Sequence, residues 1–161
     1  MSNQPRSLKN LQKALSMELS AAHQYLLHAH VLEDWGLETL AAKMREEMQE
    51  ELGHAGRYID RILFLDGDPK VTEEKPAVRA DSLKELFEAD LADEKEAISF
   101  YTQAANEARD DNDVGTRTMF ENIVLDEEGH MDWLKQQLDL IKRIGEAAYI
   151  AQHMALSPSA A

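Results

Sequence analysis

The chain of 161 residues contains no cysteine. Disulfides, thiolate nucleophiles and Cys-ligated zinc or iron–sulfur centres are therefore excluded. Proline and glycine are scarce, at 4 and 7 residues, so few points along the chain are obliged to turn. Basic charge is also short: 17 Lys and Arg face 31 Asp and Glu, a formal net charge of −14. Such an acidic surface repels phosphate and argues against nucleic acid. No stretch approaches the roughly 18 apolar residues of a membrane span, and the opening MSNQPRSLKN is not an apolar signal segment. Work in the cytoplasm, away from membranes, is the expectation. Hydrophobic residues make up 43%, enough for a packed core. The length suits one domain over residues 1–161, with 157–161 as a flexible tail.

What is present is helical spacing. Ser7 after Pro5 is a plausible N-cap, and apolar spacing runs from there to Trp35, before Gly36. A second helix is expected from Leu37 to Leu65, ended by Asp66-Gly67-Asp68-Pro69. Residues 66–81 read as a connection. Ser82 with Glu85 forms a capping box for a third helix reaching Arg109. A fourth helix spans Asp113 to Ile144, and a short fifth Glu146 to Leu156. No alternating β-branched segment competes, so the chain is expected to be all-α. A helix of about 28 residues is about 42 Å long, and 16 extended residues reach roughly 53–58 Å. The connection is thus long enough to return along a bundle, which gives a four-helix bundle with one long crossover and a short fifth helix.

The stripes expected to face the core carry glutamate near their middles: Glu18, Glu51, Glu94 and Glu127. His54 and His130 follow two of them at i+3, on the same face. The halves also repeat, since 94 − 18, 127 − 51 and 130 − 54 all equal 76. Tyr25 and Tyr101 share that offset, and ELGH at 51–54 answers EEGH at 127–130.

Four carboxylates cannot converge in a dry core as bare charges, because each costs several kcal/mol even after relaxation. Protonation, basic partners or cations are the available remedies. The stripes offer little basic partnering at that height, since Arg61 is about two turns further along its helix. Two divalent cations would balance four carboxylates, and oxygen-rich sites with some imidazole suit iron or manganese. Ions about 3.5–4 Å apart would form a bridged pair.

This arrangement is the one found in ferritin-like di-iron proteins. The segments HQYLLHAH (23–30), WGLETL (35–40), RYIDRILFLDG (57–67) and DEEGHMDWLKQQLDLI (126–141) resemble the bacterioferritin family over nearly the whole chain. The resemblance implies iron storage and detoxification, with Fe²⁺ oxidised to Fe³⁺ by O₂ or H₂O₂ in a ferroxidase centre. It makes Glu18, Glu51, His54, Glu94, Glu127 and His130 the ligands, with Glu51 and Glu127 bridging and Glu18 and Glu94 terminal. It also implies self-association into a hollow shell of 24 subunits that holds ferric mineral. Bacterioferritins generally bind haem b between subunits through a methionine just after the second-helix bridging glutamate. Here that residue is Leu52, and Met48 lies about 6 Å away along the helix axis. A homo-oligomer is therefore expected to lack normally ligated haem, while a methionine-bearing sister subunit could still supply it.

Other residues carry weaker signals. Tyr25, Tyr58 and Tyr101 each lie seven positions beyond a site glutamate, which favours packing with the hydroxyl on a carboxylate. Tyr25 and Trp133 are the candidates for electron transfer. Glu46, Glu47 and Glu50 are expected on a solvated helix face, where Glu46 and Glu50 are candidates for an inner-surface iron site. His23, His28, His30 and His153 are expected at the surface or an interface. Two other functions remain: a rubrerythrin-like peroxide reductase, disfavoured by the missing cysteines, and a non-enzymatic helical assembly or DNA-shielding mini-shell. Such mini-shells usually build their iron sites between subunits, whereas this chain carries a full set of its own.

Overall fold

The computed structural model describes residues 4–154. It comprises α1 (Pro5–Asp34), α2 (Glu38–Phe64), α3 (Leu83–Asp110), α4 (Val114–Ile144) and α5 (Glu146–His153). The expected C-terminal tail, and the last residues expected for α5, lie outside the described residues. Among those described, no helix is long and apolar enough to cross a membrane.

The helices start and stop for local reasons. Ser7 is not the first cap: α1 begins at Pro5 behind Gln4, and Ser7 is buried inside the first turn. Proline at the first helical position has its φ preset and no N–H to leave unbonded, so it nucleates this end. The Ser82 hydroxyl accepts from the Glu85 N–H at 3.2 Å, and Asp113 accepts from the Thr116 N–H at 3.1 Å. Three helix ends share one device. Gly36, Asp66 and Asn112 adopt positive φ, and the next residue donates back to Leu32, Ile62 and Ala108 respectively. Each is a Schellman closure, which satisfies carbonyls the helix would otherwise leave open. At Gly67 a side chain would meet Leu8 and Ile62 within 3 Å.

Two antiparallel hairpins, α1–α2 and α3–α4, pack into the bundle. The crossover returns along α1 and is fastened to it by a polar row at i+4 spacing. Gln12 exchanges two hydrogen bonds with the Lys70 backbone. The Ser16 carbonyl accepts from the Glu74 N–H, and Gln24 exchanges two bonds with Val78. The Ser20 hydroxyl accepts from the N–H groups of Glu74 and Lys75 at 2.7 and 3.1 Å.

The core is divided in two. One cluster holds Leu32, Leu40, Met44, Phe87, Leu134 and Tyr149. The other holds Leu11, Leu15, Tyr58, Ile62, Tyr101 and Phe120. Helix α5 closes the first, its Tyr149 hydroxyl donating to Gln137 at 2.7 Å. The carboxylates lie between these two apolar layers.

Candidate metal centre

The mid-helix positions converge. Glu18 from α1, Glu51 and His54 from α2, and Glu127 from α4 bring one ligand atom each within 4.8 Å of one another. Glu51, Glu94 from α3, Glu127 and His130 do the same. All six side chains are buried. Glu51 and Glu127 belong to both groups, so the centre consists of two four-ligand clusters with a shared carboxylate pair. The imidazoles lie on either side, with ring centroids 6.4 Å apart.

The donor atoms face a common space. His54 Nδ1 lies 2.9 Å from Glu127, and His130 Nδ1 lies 3.1 Å from Glu51. Yet both nitrogens, Glu51 Oε1 and Glu127 Oε1 are buried without a partner in hydrogen-bonding geometry. Buried orphans of this kind are costly, and a cation between them would satisfy several lone pairs together. Two divalent ions would also neutralise the four carboxylates. The donor set therefore fits two hard or borderline ions such as iron or manganese.

Burial, followed by the neighbouring Glu51 carboxylate, pushes Glu18 well above the ordinary carboxylate value. Glu94 is raised chiefly by burial and then by Glu127. For the two histidines burial acts downward, but surrounding carboxylates, Glu127 foremost, outweigh it and raise both. Burial would raise Glu127, but its contacts with Glu94, His130 and His54 bring it below the usual range. In the metal-free centre these shifts favour the protonated forms of the imidazoles and of Glu18 and Glu94. Arg61 gives no help: its guanidinium is held by Asp113 and Thr116.

Tyrosines brace the outer glutamates. Tyr25 donates to Glu94 at 2.5 Å and Tyr101 to Glu18 at 2.7 Å. Tyr58 departs from the expectation, since its buried hydroxyl has no partner and its ring packs on Tyr101 and Phe120. Trp133 lies edge-on to Phe87 at 5.7 Å, with the Lys43 ammonium 5.3 Å from its ring.

Two expectations need correction, those for Glu47 and His28. Glu47 is not on the solvated face: it is 3% exposed and paired with Lys43 and His130. The cause is its place one turn before Glu51 on the same face. Glu46 is exposed and belongs to none of the ligand groups, whereas Glu50 lies 3.0 Å from His130 Nε2. His28 is not at the surface; it is fully buried, with Nδ1 3.0 Å from Asp90 and Nε2 2.8 Å from Gln24. His23 and His30 do lie at the surface, and half-buried His153 packs its ring at a tilt against Tyr149, with centroids 4.4 Å apart.

Sequence reasoning missed the residues behind the imidazoles. His54 Nε2 meets Asp126 at 3.0 Å, and His130 Nε2 meets Glu47 at 2.8 Å. The Asp126 hydrogen bond fixes the His54 tautomer and turns its Nδ1 toward the centre, whereas Glu47 stands close behind His130 but outside hydrogen-bonding geometry.

Residues 8–144 match the ferritin-like domain family. The bacterioferritin of Brucella melitensis is 40% identical over 149 residues, 92% of each chain. That of Mycolicibacterium paratuberculosis is 40% identical over 159 residues, 99% of this chain and all of the relative. Among solved structures, a bacterioferritin of Rhodobacter capsulatus superposes with a TM-score of 0.94 at 37% identity, covering 100% of this chain and 99% of the other. It has a metal-free dinuclear site and a haem iron on a crystallographic special position. The Mycobacterium tuberculosis protein gives a TM-score of 0.93 at 37% identity, covering 96% of this chain and 98% of the other.

Proposed function

We propose that this chain, which belongs to the ferritin-like family and within it to the bacterioferritins, is a ferroxidase that oxidises Fe²⁺ and stores the product as ferric mineral. The observation that carries this is the pair of four-ligand clusters sharing Glu51 and Glu127. Iron storage is the work of the family. The finer assignment rests on the buried donor set, which suits two ferrous ions as substrate.

Glu18 and His54 hold one ion, Glu94 and His130 the other, and Glu51 and Glu127 bridge them. Two ferrous ions together supply two electrons to O₂ or H₂O₂, which a single ion could not. The protein's part is positional and protonic. Asp126 holds the outer N–H of the His54 imidazole and the Glu47 carboxylate lies 2.8 Å from the outer nitrogen of His130, while Nδ1 of each ring lies against the bridging glutamates. Tyr25 and Tyr101 fix the outer glutamates through hydrogen bonds, and neither needs to donate an electron for that. The apolar layers on both sides keep the charged groups of the centre out of bulk water. Protons on Glu18, Glu94, His54 and His130 leave as the ions arrive.

The shell of 24 subunits and a cytoplasmic setting belong to the same proposal. Haem b does not fit in its usual manner. Leu52 is 42% exposed on α2 but has no thioether, and Met48 packs against the core cluster. A homogeneous shell lacks bis-methionine haem, and a methionine-bearing sister subunit would be needed to supply it. An intense Soret band with a bis-thioether spectrum from this chain alone would contradict that.

The testing experiment is anaerobic Fe²⁺ titration followed by oxygen, with native mass and absorbance read on the same sample. Two fast-binding ions per chain and rapid oxidation in a large assembly are expected. Glu18→Ala and His130→Ala should each cost about tenfold or more in oxidation rate while still assembling. Full speed in either variant would refute the ligand assignment.

A further inference from the structure

We propose that the Lys75 ammonium is a built-in cation at a side mouth of the metal centre, occupying the carboxylates that an arriving divalent ion meets first and thereby slowing its passage inward. This rests on the two-ion reading of the centre and adds a residue that controls access to it.

A cavity of about 220 Å³ opens between α1, α3 and the crossover. Glu18, Glu51, Glu94 and Glu127 lie at its floor. Among them, Glu51 Oε1 and Glu127 Oε1 are buried and unpartnered, so the floor of the cavity is set to receive a cation. Its rim is formed by Glu74, Lys75, Asp93 and Glu96. Among the described residues, Lys75 is the only basic one that lines it, against eight acidic ones. Its Nζ lies 2.6 Å from Asp93 and 3.7 Å from Glu96.

The placement is built rather than incidental. The Ser20 hydroxyl binds the backbone N–H groups of both Glu74 and Lys75. Ser20 is itself buried and donates to the Ser16 carbonyl. The lysine backbone is thus fixed to α1, while its long side chain stays about half exposed and free to swing away. Asp93 and Glu94 are adjacent in sequence, one at the rim and one at the floor, so an ion released from the first has the second within reach. The Asp93 hydrogen bond raises the Lys75 pKa, which keeps it a cation.

An acid-lined cleft concentrates cations, and an ammonium tethered at its mouth opposes that field and occupies the first ligands. A divalent ion, with twice the charge, can displace it. Removing the ammonium should therefore speed uptake without altering how many ions bind.

The test uses the assembled full chain, oxygen-free, with Co²⁺ as a redox-inert probe read by stopped-flow absorbance. Lys75→Met should raise the association rate constant about 3- to 10-fold, with the stoichiometry still two per chain. Lys75→Arg should stay near the wild-type rate, and the gain in Lys75→Met should shrink in about 0.5 M salt. An unchanged or slower rate in Lys75→Met at normal stoichiometry would overturn the role of Lys75 and leave the centre intact. Failure of the wild-type chain to bind two ions would overturn the centre and this inference together.

Discussion

The Tyr25 hydroxyl on α1 donates to Glu94 on α3 at 2.5 Å, and the same bond recurs in reverse from Tyr101 on α3 to Glu18 on α1. Both residues of the first pair map onto the second by an offset of 76 positions. The two halves of the chain thus grip each other's outer ligand. Tyr58 stands outside this symmetry, since its counterpart is Leu134, and its hydroxyl is unpartnered.

Tyr25→Phe and Tyr101→Phe each remove one such bond from a buried carboxyl group. Each should lower stability by about 1–3 kcal/mol, measured by denaturant midpoint on the metal-free protein. Initial iron oxidation should persist in Tyr25→Phe, because its hydroxyl positions Glu94. Collapse of oxidation with unchanged stability would instead make Tyr25 an electron donor.

The centre should take up metal more tightly as pH rises. Glu18, Glu94, His54 and His130 are all raised above their ordinary values of 4.5 and 6.5, so in the metal-free fold protons compete with incoming ions more strongly than they would at free side chains. The stability these four groups contribute is fully present at low pH and is lost as pH rises through their raised values. Glu127 is lowered, so its contribution is lost only on strong acidification. Anaerobic Fe²⁺ titration at about pH 6 and about pH 7.5, spanning the ordinary histidine value, should show tighter binding at the higher pH and release of protons. Affinity that is flat across this window would contradict the assignment of protons.

Asp126 and Glu47 act through the imidazoles. Asp126→Asn or Glu47→Gln should weaken metal affinity about 10- to 100-fold with little loss of fold, read from the same titration. Glu46→Gln, on the exposed face, is the control and should change nothing.

The buried His28–Asp90 pair carries a separate prediction. Among the described residues, His28 is the only basic group in contact with Asp90. Replacing His28 by Leu should cost about 3–5 kcal/mol by leaving a buried carboxyl group unpaired. Replacing both residues by apolar ones should recover much of that loss, as measured by thermal or chemical unfolding.

The helices, the crossover and the six converging residues were legible because each is encoded by local spacing. Glutamates at mid-stripe with histidine at i+3 need only the helical period to be aligned, and the repeat doubles the signal. Glu47, Asp126 and the burial of His28 were not legible, because they depend on how neighbouring helices are rotated against one another. Asp126 sits beside Glu127 in sequence but serves His54 on another helix. The polar row Gln12, Ser16, Ser20 and Gln24 has a clear i+4 period. Its meaning emerges only when the crossover lies along it, since polar residues at that spacing otherwise read as a solvated face. Ser7 misled because a good capping residue lay two positions after a better helix starter, Pro5.

The most direct test is anomalous diffraction at the iron edge from crystals loaded with Fe²⁺ under anaerobic conditions. Two peaks per chain are predicted, about 3.5–4 Å apart, between Glu51 and Glu127 and flanked by Glu18 with His54 and by Glu94 with His130. Absence of iron there, with the same side chains turned to solvent or matched to lysine and arginine, would contradict the claim that metal ions are what make these buried carboxylates tolerable.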